Sequence, residues 1–489
     1  MISNEMFLEK ARALEPTLNI TEAVPPGFER TVLGEGGKTV FDFGTHYVGH
    51  IRMELAYEGS HPDAPLWLNI QFAERESELH EDPTDYRGWI SRGWIQNEQI
   101  HIDILPAALK LPRRYAFRYV KIEVLAASSK YSAVIERISC LAESSADDAR
   151  LRPYRSGDSL LGKMDAVACR TLHECMQKVF EDGPKRDRRL WLGDLRLQAL
   201  ANYESYRCSS LVKRCLYLFA GCADDRGKIP AAVFTEPEIE ADDVYMFDYS
   251  LLFVPALLDY FNETGDTEAL RELWPVAWNQ IILARDCFDS KGVVIDDVRP
   301  GWCFIDWNLA LDKQASAQGV CLYCLKAAKR IAEILGENGK AAEAEKEYAE
   351  KKSAALEYLL DKESGFFISG PEKQRSLASQ VWMILGGVTE GSEARDLLLR
   401  LSSPELLAPV TPYMMHHYVE AAVLCGEKEH ALKLLRDYWG EMVNEGADTF
   451  WELYNPLDPD ESPYGGTIVN SYCHAWSCAP AYFLRKYFN

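Results

Sequence analysis

The chain has 489 residues, 47% hydrophobic and 26% charged, a composition typical of a folded globular protein without a disordered bias. The length exceeds what one hydrophobic core usually serves and favours one large plus one smaller domain. A formal net charge of −22 argues against nucleic acid and anionic membrane as partners, because both are polyanions, and suits a neutral ligand.

The opening stretch MISNEMFLEKARALEP has no basic segment followed by an apolar one, so no secretory signal is expected. No run of 18 apolar residues occurs, so no membrane-spanning helix is expected. Thirteen cysteines are scattered without the rhythm of a disulfide scaffold. The Cys321-Leu-Tyr-Cys324 pair falls in a helically periodic stretch with no second such pair, which reads as buried thiols rather than a zinc site. Reduced thiols without a signal point to a cytoplasmic address.

Residues 36–145 alternate apolar and polar positions in KTVFDFGTHYVGHIRMELAYEG, PLWLNIQFAE, EQIHIDILP and YAFRYVKIEVLAA. Short Val-, Ile-, Tyr- and Phe-rich strands parted by Gly, Pro and Asp turns predict an all-β sandwich domain within residues 1–150. The period then becomes helical over 151–489, with helices expected near 158–178, 194–207, 209–221, 248–262, 267–287, 312–336, 339–361, 373–386, 391–402, 412–425, 428–444 and 467–487. Apolar residues recurring every third and fourth position mark these as amphipathic. No fixed-length repeat is present, which disfavours a solenoid. Alternating helices can instead close into an (α/α)6 barrel, with the acting residues on long loops at one end. This is an all-α catalytic domain preceded by the smaller β-domain.

The loops between these helices are unusual. DVRPGWCFIDWN, NEGADTFWELYNPLDPDESPYGGT and NSYCHAWSC carry tryptophan, tyrosine, histidine and acids together. Flat aromatic faces ringed by carboxylates suit a sugar, whose ring has an apolar face and hydroxyl edges. The densest stretch is DGPKRDRRLWLGD, with Asp182, Asp187 and Asp194 interleaved with Lys185, Arg186, Arg188 and Arg189 just before Trp191.

That stretch resembles the signature of glycoside hydrolase family 78, the α-L-rhamnosidases, of the form D-x-P-x-R-D-E-R-x-G-W-x-G-D. GADTFWE (446–452) is similar to the family's G-A-T-T-x-W-E, and HAWSCAPAYFL (474–484) to its H-G-W-S-x-G-P-x-Y-x-L. FDFGTHYVGHIRMEL and YAFRYVKIEVL resemble the β-sandwich that precedes the barrel in these enzymes. The three motifs occur in family order, and the C-terminal β-domain that many members carry is not expected here.

The resemblance implies hydrolysis of a terminal α-L-rhamnosyl bond with inversion, which needs one carboxyl to protonate the leaving oxygen and another to activate water. Glu452, at the family's W-E position, would be the general base. The family's general acid is a glutamate at the position taken here by Arg188, and arginine cannot donate a proton near neutral pH. The motif is one residue shorter, and counted back from Trp191 the acid position falls on Asp187. Asp187 is therefore the expected acid; the alternatives are Asp182 and a site that has lost acid catalysis.

A general acid must hold a proton when substrate arrives, so the neighbouring cations must be engaged elsewhere. Arg186 is expected to pair with another acid or grip sugar hydroxyls, and Arg188 and Arg189 to tie the loop to the barrel. By the resemblance, Asp182 would hold substrate hydroxyls, and Asp306-Trp307 would bind them and pack on the ring. Trp191, Trp302 and Trp451 are further wall candidates. Asp248 reads equally as ligand or helix N-cap, and His474 as ligand or structural histidine. Asp194 reads mainly as an N-cap, and His416 and His417 as residues of the barrel mouth. No cofactor or metal is implied, since water is the nucleophile. The partners expected are small rhamnosides, and exposed barrel helices are compatible with a homodimer. The alternatives are another (α/α)6 glycosidase, a catalytically inactive rhamnose-binding homologue and a helical interaction scaffold.

Overall fold

The computed structural model describes residues 3–295 and 302–488; the start of the loop leading to Trp302 lies outside them. An N-terminal β-sheet region is followed by a helical region. The sheet runs antiparallel in the order Asn19–Ala23, Tyr131–Ser144, Lys38–Gly59, Tyr115–Ala126, Leu66–Ala73, Asn97–Ile102. Thr31–Leu33 and Ala107–Lys110 add short pairings. Lys38–Gly59 is the organising strand: its first half pairs with Tyr115–Ala126 and its second with Tyr131–Ser144. Phe41, Phe43, Ile51, Met53 and Leu55 turn the same way into the sheet's core, as period-two alternation requires.

The pairing slips between Asp42 and Tyr47. An irregularity of this kind re-aims side chains out of the ladder, and here it delivers His46 into the contact with the helical region. The buried imidazole meets Glu74 at 3.0 Å and Glu174 of the helix Ser159–Cys175 at 3.6 Å.

The expected helices are present over the described residues, with ends shifted by a few positions. Helices Leu192–Glu204, Phe247–Thr264, Gln314–Leu335, Leu377–Leu385 and Pro412–Leu424 touch one another successively. Ala479–Tyr487 returns against Leu192–Glu204 and Ser159–Cys175. The helices alternating with these in sequence lie outside them, so their exposed faces are charged, as in Asn338–Ala354. The main departure is at the end: of the helix expected over 467–487 only Ala479–Tyr487 forms, behind two single-turn segments, Thr467–Val469 and Ala475–Ser477. Cys321 and Cys324 lie buried in the Gln314–Leu335 helix, and burial pushes the Cys321 thiol up to about 12.

One element was not foreseen within 1–150. Asn4–Ala13 is a helix, capped by the Ser3 hydroxyl accepting from the Met6 N–H. It packs on the helix Ser209–Gly221, with Phe7 stacked on Tyr217 at 6.0 Å and Phe7 and Ala11 in the core of the helical region. Arg214 donates to the Ala11 carbonyl and ties the two together. Phe7→Ala should therefore cost about 3 kcal/mol of stability in denaturant unfolding, whereas Val32→Ala, at an exposed strand position, should fall within about 0.5 kcal/mol of wild type.

Candidate active site

The three sequence motifs converge because two chain segments run side by side. The Glu452 N–H donates to the Ser471 carbonyl (3.0 Å), the His474 N–H to Phe450 (2.8 Å) and the Thr449 hydroxyl to Tyr472 (2.8 Å). The Asp182 carbonyl in turn accepts from the Ala475 N–H at 2.9 Å. Asp182 closes its own loop twice, its N–H donating to the Arg189 carbonyl and its carboxylate accepting from the Arg189 N–H, each at 3.0 Å. Inside that loop Asp187 and Arg188 both take left-handed backbone angles, φ 63° and 55°. Aspartate tolerates this conformation; for arginine it is sterically costly, and it sends the two side chains to different places.

Arg186 is the centre of the cluster. Its Nη2 donates to the Glu452 carboxylate, its Nη1 lies 3.5 Å from Asp187, and its Nε donates to the Val469 carbonyl at 3.2 Å. The Tyr464 ring lies under the guanidinium at 4.1 Å, and the Tyr464 hydroxyl donates to the other oxygen of Glu452. Burial opposes the guanidinium charge, but Glu452, Tyr464, Asp187 and Asp182 together raise the Arg186 pKa. Burial, reinforced by the Glu452 charge, holds the Tyr464 phenol well above its ordinary range, so it remains a donor. Glu452 is buried, whereas the Asp187 side chain keeps 24% of its surface in solvent.

Asp182 is buried beneath this pair. Burial first, then the charges of Asp187 and Asp194, push its pKa well above the usual carboxylate range. Asp194 is also raised by burial, against the opposing bond from His474, whose Nε2 lies 3.1 Å away. Asp194 is not the helix N-cap expected of it: Trp191 holds that position and Asp194 sits inside the first turn, turned towards His474. Gly193 precedes it because a Cβ there would lie 2.4 Å from the Tyr249 ring.

The other basic residues are engaged outside the acid pair. Lys185 is buried on Glu78 of the sheet region and donates to the Asn470 carbonyl at 2.8 Å. Burial raises Glu78 to about 7 against the opposing charge of Lys185, with nearby Glu74 adding to the rise. Arg189 meets Asp242 at 3.2 Å and covers the Phe234 ring. Arg188 corrects the expectation for its partner: it donates to the Arg114 carbonyl (2.9 Å) in the sheet region, not to the helices.

Several expected ligands are committed to other work. Asp248 accepts from the Phe304 and Ile305 N–H groups at 3.0–3.1 Å, and it lies inside its helix rather than at the N-cap, which is Met246. Asp306 accepts from the N–H groups of Asn308, Val410 and Thr411 and from the Thr411 hydroxyl. Both anchor loops by satisfying backbone donors, two on Asp248 and four donors in all on Asp306. Trp451 faces away from its neighbour Glu452. Its ring lies under Arg75 at 4.7 Å and lines a cleft of 380 Å³ between sheet and helices. His416 and His417 are fully buried in Pro412–Leu424, not at a mouth, and burial lowers His417 to about 4.

Trp307 stands edge-on to Tyr464 at 6.1 Å and to Phe304 at 5.4 Å. Phe304 stacks on Trp476 (5.5 Å) and Trp476 tilts against His474 (4.3 Å), giving an aromatic floor. Trp191 meets Tyr249 at 6.3 Å, and Trp302 lies further out beside Phe247 at 6.1 Å. Tyr464 was missed among the site residues; its only local signal is an aromatic residue in the Gly-rich stretch SPYGGT. Among the described residues no group of three His, Cys, Asp or Glu could hold a metal, and no helix is long and apolar enough to cross a membrane.

Comparison with known proteins now has a geometry to refer to. Residues 20–142 match the model described as the glycosyl hydrolase family 78 alpha-rhamnosidase N-terminal domain, and residues 153–488 the bacterial alpha-L-rhamnosidase 6 hairpin glycosidase domain. The structure of a rhamnosidase from Klebsiella oxytoca with rhamnose bound is 43% identical over 100% of this chain and 99% of its own, with a TM-score of 0.96. A family 78 rhamnosidase of Bacillus sp. GL1 shares 24% identity over 95% of this chain and 48% of its own, with a TM-score of 0.80. The Streptomyces avermitilis alpha-L-rhamnosidase complexed with L-rhamnose shares 16% over 96% of this chain and 44% of its own, at 0.70. The last two likenesses show the fold alone. No curated protein sequence matches the chain.

Two predictions follow from the buried charges. A carboxyl whose pKa is raised on folding binds more protons in the native state, so it costs stability once the pH exceeds its unfolded value. Asp182→Asn keeps an oxygen for the Arg189 N–H and removes that cost. Its melting temperature should exceed wild type at pH 7, with the gain shrinking as pH falls towards the ordinary carboxyl range. Lys185→Met alone should lose about 3–5 kcal/mol by stranding Glu78, and Lys185→Met with Glu78→Gln should recover most of it in the same unfolding assay.

Proposed function

The chain belongs to glycoside hydrolase family 78, the α-L-rhamnosidases, and from that premise we propose that it hydrolyses terminal α-L-rhamnosyl residues of small rhamnosides with inversion of configuration. Asp187 is the general acid and Glu452 the general base. The observation that carries this reading is the Arg186 bridge, a single guanidinium reaching Asp187 at one end and Glu452 at the other. Inverting hydrolysis needs two carboxyls about 6.5–9.5 Å apart, with room for a water between base and sugar. The bridge brings both carboxyls to one site, as a pair acting on one anomeric carbon requires.

Asp187 gives its proton to the glycosidic oxygen as the bond to the anomeric carbon breaks. Glu452 takes a proton from a water that attacks the same carbon from the opposite face. Each Glu452 oxygen already accepts from one donor, Tyr464 or Arg186, and a carboxylate offers about four acceptor positions, so a water can still bind. The partial exposure of Asp187 suits the leaving-group side, where the departing alcohol exits. Asp182, Asp194, His474 and Arg186 meet the sugar's hydroxyls, and Trp307, Trp191 and Trp302 bound its ring. The rhamnose in the Klebsiella oxytoca structure, at 43% identity, supports the sugar assignment. The succession of inner helices backed by outer ones supports an (α/α)6 barrel over 151–489. The strand Lys38–Gly59 shared between two sets of partners supports a β-sandwich domain within 1–150.

Release of nitrophenol from p-nitrophenyl α-L-rhamnopyranoside tests the reaction. Asp187→Asn and Glu452→Gln should each lower kcat by about 10²–10⁴. The Asp187→Asn loss should be larger on methyl α-L-rhamnoside, whose poor leaving group needs the proton more. Proton NMR of the first product should show β-L-rhamnose; initial α-rhamnose would refute inversion. An Asp187→Asn enzyme as active as wild type on the methyl glycoside would move the acid to Asp182.

A further inference from the structure

The sheet region contributes more than a scaffold: we infer that Trp89, on the loop 81–95, is the platform for an aromatic leaving group at the mouth of the site. This rests on the rhamnoside reading above and extends it to the other side of the scissile bond. Trp89 is 68% exposed, and it is the only tryptophan left mostly in solvent among the described residues. Its exposure leaves an indole face open to solvent, where a flat apolar group can stack on it.

Trp89 is also fixed in place. Its Nε1–H donates to the Pro463 carbonyl at 2.8 Å, and its ring lies 5.5 Å from Tyr464 at an angle of 46°. The preceding Tyr86 hydroxyl donates to the Tyr464 carbonyl at 2.8 Å, and Tyr86, Ile95, Tyr464, Ile468 and Val469 form a small apolar cluster beneath the loop. Gly88 makes this seat so tight that a Cβ there would fall 1.8 Å from the Tyr464 carbonyl oxygen. The loop is therefore docked on the segment that carries Tyr464, and Tyr464 donates to Glu452.

The buried Tyr464 links the carboxylates to the surface: its hydroxyl donates to Glu452, and its ring stands 5.5 Å from the exposed Trp89. Trp89 is thus one ring-to-ring step from the site. A terminal sugar lodged at the buried end leaves its aglycone pointing outward, so the exposed ring is the one the aglycone meets. Trp89 presents no polar atom to it, because its only N–H is already spent on Pro463. A flat indole face stacks on a flat apolar partner, and an aromatic aglycone presents one.

Binding can be read separately from turnover in the Glu452→Gln background. Isothermal calorimetry would compare Glu452→Gln with Glu452→Gln/Trp89→Ala and Glu452→Gln/Trp89→Phe, using p-nitrophenyl α-L-rhamnoside, methyl α-L-rhamnoside and free L-rhamnose. Trp89→Ala should weaken the nitrophenyl glycoside about 5- to 10-fold, leave the other two within about 2-fold, and be largely restored by Trp89→Phe. Equal affinities for the nitrophenyl glycoside in all three proteins would overturn the assignment, as would equal weakening of all three ligands. Wild type that binds these ligands without cleaving them would defeat the proposed reaction while leaving the platform to be judged by the same affinities.

Discussion

The structure depends on keeping one buried cation, Arg186, satisfied. A guanidinium removed from water costs several kcal/mol unless its donors are met. Here Glu452, the Val469 carbonyl, Asp187 and the face of Tyr464 meet them. Apart from the adjacent Asp187, these partners come from two distant segments, so the motif at 182–194 cannot be placed without placing 452 and 464–469 as well. The proposed catalytic pair is thus assembled by the same contacts that hold the loops.

Around that centre the charges are sorted by where their partners lie. Lys185 and Arg188, on either side of the Arg186–Asp187 pair, both leave for the sheet region, to Glu78 and to the Arg114 carbonyl. Glu74, next to Glu78, accepts from the Tyr472 N–H at 2.6 Å and holds His46. Lys185 and Arg188 are drawn off in this way, which leaves Arg186 as the cation beside Asp187, with the buried Asp182 close by. Burial, and then the charges of Asp187 and Asp194, raise the proton affinity of Asp182, and the stability it sacrifices marks a site built for charge rather than for rigidity.

Much of this was legible in the sequence because it is local. Periodicity located four of the eight strands of the sheet and nearly all the helices, and three short motifs located the segments that meet. Most of the errors share one physical origin. Asp194 and Asp248 were weighed between caps and sugar ligands, and neither is a cap; Asp306 was expected to bind sugar by the resemblance. Backbone donors on distant loops engage Asp248 and Asp306, and His474 engages Asp194. An aspartate's preference for N–H groups is visible in sequence, but which N–H is not. Tyr464, Glu78 and Glu74 escaped notice because their partners lie across the fold, as the separation of 107 residues between Glu78 and Lys185 illustrates. His416 and His417 look like mouth residues at a helix start, but both side chains are fully buried.

The departure at Arg188 is the hardest feature to explain by local reasoning and the one the fold accounts for best. By the resemblance the loop is one residue short at the proposed acid. Here two successive left-handed residues turn Asp187 towards Arg186 while Arg188 leaves in the other direction for the Arg114 carbonyl. The cost of a left-handed arginine, about 1–2 kcal/mol, is offset by a hydrogen bond that only the sheet region supplies. Arg188 therefore acts as the strut that a shortened loop requires, and the sheet region is the wall it braces against. A loop of this form could not be transplanted onto a helical domain alone, which gives the β-region a role in positioning the proposed acid as well as in framing the mouth.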